Sequence, residues 1–375
     1  MKTEIIKISS PKKLNLAVSR GQAVLDDGGL VGFPTETVYG LAGRADITVA
    51  MEKLAEIKQR PVNKPFTLHI GDKQQLSKFV PGLSLLDKTL LKKAWPGPMT
   101  AVFVLDQHQI RQIKERFSTE QYQALYHNSS IGIRLPDNEA AQQLLNAVGG
   151  PVVAPSANLT GQAPPTCAED VLEQFDGRFE LLIDDGPTRY AKASTVVKIS
   201  PEKFEIIRPG VLDQDTIGRM RSVCILFLCT GNTCRSPMAE GFCKKLISEK
   251  LGCSVDDLVE KGYKIMSAGV MAYDGAPVTF ESTQTGREMG VDISSHKARF
   301  LTPDLLRQAD FVFAMATGHV RSAENMLGQP TEKVRLLSEN GDIADPIGMD
   351  LEFYRQCGLR IYAEMKIRIR ELMDS

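Results

Sequence analysis

The sequence predicts an α/β protein in two parts, and three observations lead there. Its 375 residues exceed what one ordinary hydrophobic core organises. From residue 223 onward, short apolar runs alternate regularly with helix-length segments, the pattern of a doubly wound parallel sheet. Before residue 210 the apolar runs are β-rich and mixed irregularly with helical patterns, which suits a twisted, mixed sheet.

In the first part, strands are expected in GLVGFP, FTLHI, MTAVFVL, SIGIRLP, PVVAPS, ELLID and STVVKI, and helices over 47–59 and 137–147. This part closes near IIRPG, 206–210, and the polar stretch 211–222 reads as a short linker with helical character. The boundaries are therefore set at 1–212 and 222–375. The second part reads as strand 223–228, helix from about 237, strand 263–267, helix 277–290, strand 311–315, helix 318–327, strand 333–337 and a final helix 351–372. There is no internal repeat and no low-complexity tract.

Composition narrows the function classes. Charged residues make up 24% of the chain and the formal net charge is −1, so a bulk-electrostatic polyanion binder is not expected. Small anions held by a few placed residues fit. MKTEIIKISSPKKL lacks the apolar centre of a signal peptide, and no run approaches a membrane span, so a soluble, cytoplasmic protein without membrane partners is expected. Seven cysteines, at 167, 224, 229, 234, 243, 253 and 357, form no disulfide framework by spacing. No C-x-x-C pair or zinc-spaced Cys/His cluster occurs, and no protein-held metal is expected.

The stretch ILFLCTGNTCRSPMAEGF carries the clearest chemistry of the second part. A buried strand feeding a small polar loop, with Pro in the following first helical turn, presents backbone N–H groups to an anion. Cys229 and Arg235 bracket the loop in C-x5-R spacing. Arginine's planar fork matches two phosphate oxygens, and positive surroundings depress a thiol's pKa, so Cys229 reads as a nucleophile. Ser236 can donate to the thiolate. Gly231-Asn232 suits left-handed backbone. A redox pair with Cys234, or a structural cysteine beside a surface arginine, would look similar.

Together, CTGNTCRSPMAEG, SAGV at 267–270, DISSHKARFL at 292–301 and DPIG at 345–348 resemble the low-molecular-weight protein tyrosine phosphatase family across 222–375. The resemblance implies that Cys229 forms a phosphocysteine while Arg235 and the amides of Thr230, Gly231, Asn232, Thr233, Cys234 and Arg235 itself stabilise the transferring phosphoryl group. It implies that Asp345 protonates the leaving atom and then activates water, with Asn232 and Ser236 holding the loop. Cys234 resembles the family's second cysteine, able to form a reversible disulfide with the nucleophile; a small buried filler is the alternative.

Thr233 stands where tyrosine-directed members place a branched apolar residue, and 346–349, Pro-Ile-Gly-Met, lacks a ring. CTGNTCRS is similar to the protein arginine phosphatase branch, although Ile347 replaces that branch's usual aromatic. Phosphoarginine is ranked first, phosphotyrosine second and arsenate reduction a distant third, since no relay cysteines occur between 254 and 356.

In the first part, FPTETVYGLAG at 33–43 reads by composition as a strand-to-helix turn, and IKQRPVNKPFTLHI at 57–70 places Lys58, Arg60 and Lys64 on a stiff loop suited to polyphosphate or to solvent. With WPGPMT, SIGIRLP, APSANLTG, STVV and IIRPG, these stretches resemble the threonylcarbamoyl-AMP synthase family, also called YrdC-like, over nearly all of 1–210. That family condenses L-threonine, bicarbonate and ATP to threonylcarbamoyl-adenylate and pyrophosphate for tRNA modification.

The resemblance places Thr37, His69, Arg134, Ala154 and Ser194 around threonine. It places Lys58, Arg60, Lys64, Ser130, Ser156, Asn158 and Arg208 around ATP, with magnesium accompanying the nucleotide. Implied partners are ATP, L-threonine, bicarbonate, tRNA with its modification proteins, and phosphorylated proteins. The rival expectation is that the first part is a non-catalytic RNA- or nucleotide-binding module. Longer synthases append a smaller domain whose linker covers the nucleotide; here the phosphatase-like segment follows directly.

Overall fold

The computed structural model describes residues 2–59, 66–200 and 203–374. The chain divides into two compact units: Met1–Leu83 with Leu90–Met220, and Ser84–Thr89 with Arg221–Ser375.

The first unit is built on a mixed sheet. Its strands are β1 (Glu4–Lys7), β2 (Val31–Phe33), β3 (Gly40–Arg44), β4 (Leu68–His69), β5 (Met99–Val104), β6 (Ser130–Arg134), β7 (Val152–Val153), β8 (Leu181–Asp184), β9 (Thr195–Ile199) and β10 (Phe204–Arg208). They lie in the order β1-β8-β2-β3-β7-β4-β6-β5-β9-β10. Parallel and antiparallel neighbours alternate irregularly: β4 runs parallel to β6, β6 antiparallel to β5, β5 parallel to β9, and β9 antiparallel to β10.

Register then does the positioning. Arg134 pairs with His69 on one side and Thr100 on the other, while Thr195, just after Ser194, pairs with Met99. Side chains from β4, β6, β5 and the start of β9 are thereby gathered at one end of the sheet. Trp95, Phe33, Phe103, Phe175 and Phe179 are fully buried around it. Each such side chain contributes about 1.5–3 kcal/mol on burial. The Trp95 indole also donates to the Met99 carbonyl at 2.8 Å, which fixes the start of β5.

FPTETVYGLAG corrects the sequence reading. Its turn leads from β2 into antiparallel β3, with no helix. Thr35 accounts for this: its Oγ1 accepts from the amides of Thr37 and Val38, both at 3.2 Å, and donates to the Val38 carbonyl at 2.6 Å. A hydroxyl satisfying its own turn competes with helix capping. The expected helices appear as Thr48–Ile57 and Glu139–Ala147, the latter capped by Asn138.

The second unit holds β11 (Val223–Cys229), β12 (Tyr263–Gly269), β13 (Phe311–Ala314) and β14 (Val334–Leu336) in the order β12-β11-β13-β14, with every pairing parallel. All seven residues of β11 are buried, as a central parallel strand covered on both faces requires. Phe227, Phe242, Phe313, Ile361 and Met365 fill the core on one face. Helix Arg235–Leu251 begins two residues earlier than the sequence suggests and ends at Gly252, whose φ of 63° closes it in the left-handed region. The helix expected over 277–290 is confined to Phe280–Glu288, and Pro303–Gln308 adds a helix that the sequence reading missed.

Candidate active sites

In the first unit a cavity of about 300 Å³ opens at the gathered strand ends. Lys58, His69, Arg134, Ala154, Ser156, Asn158, Ser194 and Arg208, all anticipated from the sequence, line it, with Thr35, Tyr39 and Thr100 among the additional residues. Thr37 does not line the cavity but accepts from the Arg134 Nη2 at 2.5 Å. Ser130 is not brought there: it begins β6, at the opposite end from Arg134, and its hydroxyl donates to the His127 carbonyl at 2.7 Å. Arg60 and Lys64 lie outside the described residues.

Lys58 sits at the C-terminus of helix Thr48–Ile57, where a cation complements the helix dipole. Its Nζ donates to the carbonyls of Ser156 (2.8 Å) and Asn158. The Ser156 hydroxyl donates to Asn158 Oδ1 at 2.5 Å, and the Asn158 amide donates to the Leu159 and Gln162 carbonyls. Arg208 donates to the Ser194 carbonyl (2.8 Å) and hydroxyl (3.1 Å), and that hydroxyl lies 2.9 Å from Thr100 Oγ1.

Charge at the site is shaped by burial. The His69 imidazole is pushed down to about 3 by desolvation, then by the positive charge of Arg134, so it is neutral at physiological pH. Its Nδ1 lies 3.1 Å from the Thr67 carbonyl, which assigns the proton to that nitrogen and leaves Nε2 an acceptor. Desolvation, then Arg134, also lowers Arg208. Arg134 Nη2 donates to Glu36 at 2.9 Å, while its buried Nε has no partner. A buried donor without an acceptor is costly, and it belongs to a residue that lines the cavity.

In the second unit, Cys229 closes β11 and its Sγ lies 3.0 Å from the Ser236 hydroxyl and 3.2 Å from the Asn232 amide. Asn232 adopts φ 55°, the left-handed conformation that bends the loop back. Its side-chain amide donates to Ser236 and Ser267, both at 2.8 Å, and its Oδ1 accepts from the Arg299 amide at 2.8 Å. Gly269 leaves room for this: a Cβ there would stand 2.5 Å from the Thr230 carbonyl and 2.9 Å from the Asn232 nitrogen.

Arg235 opens the following helix and is buried. Nη1 donates to the Ile343 carbonyl at 2.8 Å, Nη2 contacts the Asp345 carboxylate and Thr230 Oγ1, and Nε is buried without a partner. Cys229, Arg235 and Asp345 are thus brought to one loop. Thr233 Oγ1 lies 3.6 Å from Cys234 Sγ, which also neighbours Thr279 Oγ1 (3.6 Å) and Tyr354 OH (3.5 Å). The thiol departs from expectation: burial pushes Cys229 up, outweighing Ser236, Arg235 and the Asn232 amide, all of which pull it down. Arg235 is meanwhile engaged with a carboxylate.

Sequence reasoning missed Glu36, His319 and Tyr354. Glu36 offered a signal, an acid inside an otherwise apolar and hydroxyl-rich run. His319, whose Nε2 lies 3.0 Å from Thr230 Oγ1, and Tyr354 offered none, since only the fold brings them to the loop. Among the described residues, no group of three or more His, Cys, Asp or Glu could hold a metal, and no helix is long and apolar enough to cross a membrane.

Residues 23–210 match the Sua5/YciO/YrdC family model, described as telomere recombination, and residues 224–375 match that of low molecular weight phosphotyrosine protein phosphatase. A threonylcarbamoyl-AMP synthase of Bacillus subtilis is 35% identical over 200 residues, 53% of this chain and 55% of that protein. One of Pyrococcus abyssi is 30% identical over 271 residues, 68% of this chain and 76% of that protein. The chain therefore spans about half the length of the first and three quarters of the second. A solved low-molecular-weight protein tyrosine phosphatase from T. tengcongensis is 37% identical over 40% of this chain and 99% of its own, with a TM-score of 0.36. The chain belongs to the Sua5/YciO/YrdC family over its first unit and carries a low-molecular-weight phosphatase domain at its C-terminal end.

Proposed function

We propose that the chain is a bifunctional enzyme: a threonylcarbamoyl-AMP synthase serving tRNA modification in the cytoplasm, followed by a cysteine-dependent protein phosphatase that prefers phosphoarginine. The first activity is supported most by the cavity that gathers Lys58, Arg134 and Arg208, with a buried Arg134 Nε lacking a partner. L-threonine's carboxylate suits Arg134, and the triphosphate suits Lys58 and Arg208.

In this reading the threonine amine attacks bicarbonate carbon, water leaves, and the resulting carbamate oxygen attacks the α-phosphorus of ATP. The bond from that phosphorus to the bridging oxygen breaks and pyrophosphate departs. Neutral His69 serves as a hydrogen-bond acceptor, and positioning with charge stabilisation suffices without a covalent nucleophile. Among the described residues lining the cavity there is no carboxylate, so these offer magnesium no anionic ligand. Magnesium would enter as part of the ATP substrate, and no step is assigned to it. tRNA and its modification proteins would receive the adenylate.

In the second unit, Cys229 Sγ would attack phosphorus as the bond to the leaving nitrogen or oxygen breaks and Asp345 gives that atom its proton. Water then attacks the thiophosphate, Asp345 takes a proton, and phosphate and Cys229 are released. Phosphate entering the loop would displace Asp345 from Arg235 and free the acid for the leaving group. Thr233 would orient attack at a phosphoguanidinium, and Cys234 would protect an oxidised Cys229 as a reversible disulfide.

A second substrate class, phosphotyrosine, is favoured by two exposed rings that the sequence reading did not place near the loop. Tyr273 is 84% and Phe280 76% exposed. Their segments are tied to the loop by Met271 N to Thr230 O at 2.9 Å and Thr279 N to Thr233 O at 3.0 Å. Hydrolysis of matched phosphoarginine and phosphotyrosine peptides by wild type and Thr233→Ile decides between them. Phosphoarginine preference that falls in the variant is expected; phosphotyrosine preference unchanged by the substitution rejects the ranking. Mass detection of threonylcarbamoyl-adenylate tests the synthase product.

A further inference from the structure

Arg134 is paired with a second buried charge, Glu36. The Glu36 side chain is 1% exposed and that of Arg134 6%. Arg134 lines the cavity and Glu36 does not. Both carboxylate oxygens are engaged: Oε1 accepts from Arg134 Nη2 at 2.9 Å and Oε2 from the Asp137 amide at 3.0 Å. The Glu36 carbonyl accepts from the Tyr190 amide at 2.9 Å, so backbone and side chain are both fixed.

The arginine is correspondingly oriented. Nη2 is occupied by Glu36, by Thr37 Oγ1 at 2.5 Å and by Thr35 Oγ1 at 3.3 Å, while the buried Nε keeps an unused proton. Around it the cavity wall carries Lys58 and Arg208 as well. Three cations on one cavity raise a sorting problem, because Coulomb attraction scales with ligand charge. A polyphosphate with several negative charges gains more from each added positive charge than a carboxylate with one.

We infer that Glu36 is a positioning and specificity residue: it fixes Arg134 and offsets its charge, so that this subsite takes a monoanionic amino-acid carboxylate in preference to polyphosphate. The inference rests on the synthase reading proposed above. Glu36→Gln removes the offset and sets an amide N–H against one of two donors, the guanidinium or the Asp137 amide, whereas Glu36→Asp keeps the charge with a shorter reach.

The test uses the full chain and calorimetric binding of L-threonine and of inorganic pyrophosphate, each alone and in competition. For Glu36→Gln, threonine should bind about tenfold more weakly and pyrophosphate about tenfold more tightly, in competition with threonine. For Glu36→Asp, threonine should weaken while pyrophosphate stays as in wild type. Opposite movement of the two ligands in Glu36→Gln, with the pyrophosphate gain absent in Glu36→Asp, is something a general loss of fold does not produce. An unchanged ratio of the two affinities in Glu36→Gln, or equal weakening of both, overturns the inference alone. A wild-type chain that binds no threonine overturns the synthase reading and this inference with it.

Discussion

Cys229 Sγ lies 3.0 Å from the Ser236 hydroxyl, and this contact opposes the desolvation that drives the buried thiol upward. Removing it leaves burial less opposed. The thiol's pKa is raised above its ordinary value and should rise further in Ser236→Ala. In the proposed mechanism the attacking species is the thiolate, so the rising limb of the pH–kcat/KM profile should move to higher pH, with activity at neutral pH falling by roughly tenfold or more. A limb that stays in place would separate Ser236 from thiolate stabilisation.

Asp345 contacts Arg235 through its carboxylate, which occupies the arginine that phosphate needs in the proposed mechanism. Asp345→Asn removes both the competing charge and the proposed acid. Turnover of a substrate with a poor leaving group should fall by about 10²–10⁴ while KM stays level or drops. An aryl phosphate with a good leaving group should lose much less. Equal losses on both substrates would argue for a structural role.

Asn232 combines a left-handed backbone with buried side-chain hydrogen bonds to Ser236, Ser267 and the Arg299 amide. Asn232→Ala loses those bonds and strains the backbone, for about 2–4 kcal/mol of stability. Asn232→Gly loses the bonds without the strain and should be about 1 kcal/mol more stable than the alanine variant in denaturant melts. Alanine equal to glycine would mean that the conformation carries no cost.

What the sequence revealed follows the range of the interactions. Cys229, Asn232, Arg235 and Ser236 lie within eight consecutive residues, and a strand, a tight loop and a helix start are local events. Thr35 closes its own turn, yet its preference for β3 over a helix depends on where β3 finds a partner. The Glu36–Arg134 pair spans 98 positions and Cys234–Tyr354 spans 120, so neither exists until the sheet order is set. Ser130 shows the same limit in reverse. It stands four residues before Arg134 on β6, about 13 Å away at strand spacing, so membership of SIGIRLP alone does not bring it to the cavity.

Arg134 also holds a buried charge in balance. Arg134→Leu leaves Glu36 in the interior without its cation and should cost about 3–5 kcal/mol in stability, whereas the double variant Arg134→Leu/Glu36→Leu should recover most of it. Thermal unfolding of the single and double variants measures this. No recovery in the double variant would place the loss in packing instead of charge.

The most direct test of the bifunctional account is pyrophosphate release by the full chain from ATP in the presence of L-threonine and bicarbonate. Release that requires both co-substrates, persists in Cys229→Ser and is lost in Lys58→Ala is the predicted result. No release, with ATP or tRNA still bound, would contradict it and leave the first unit a binding module attached to a phosphatase.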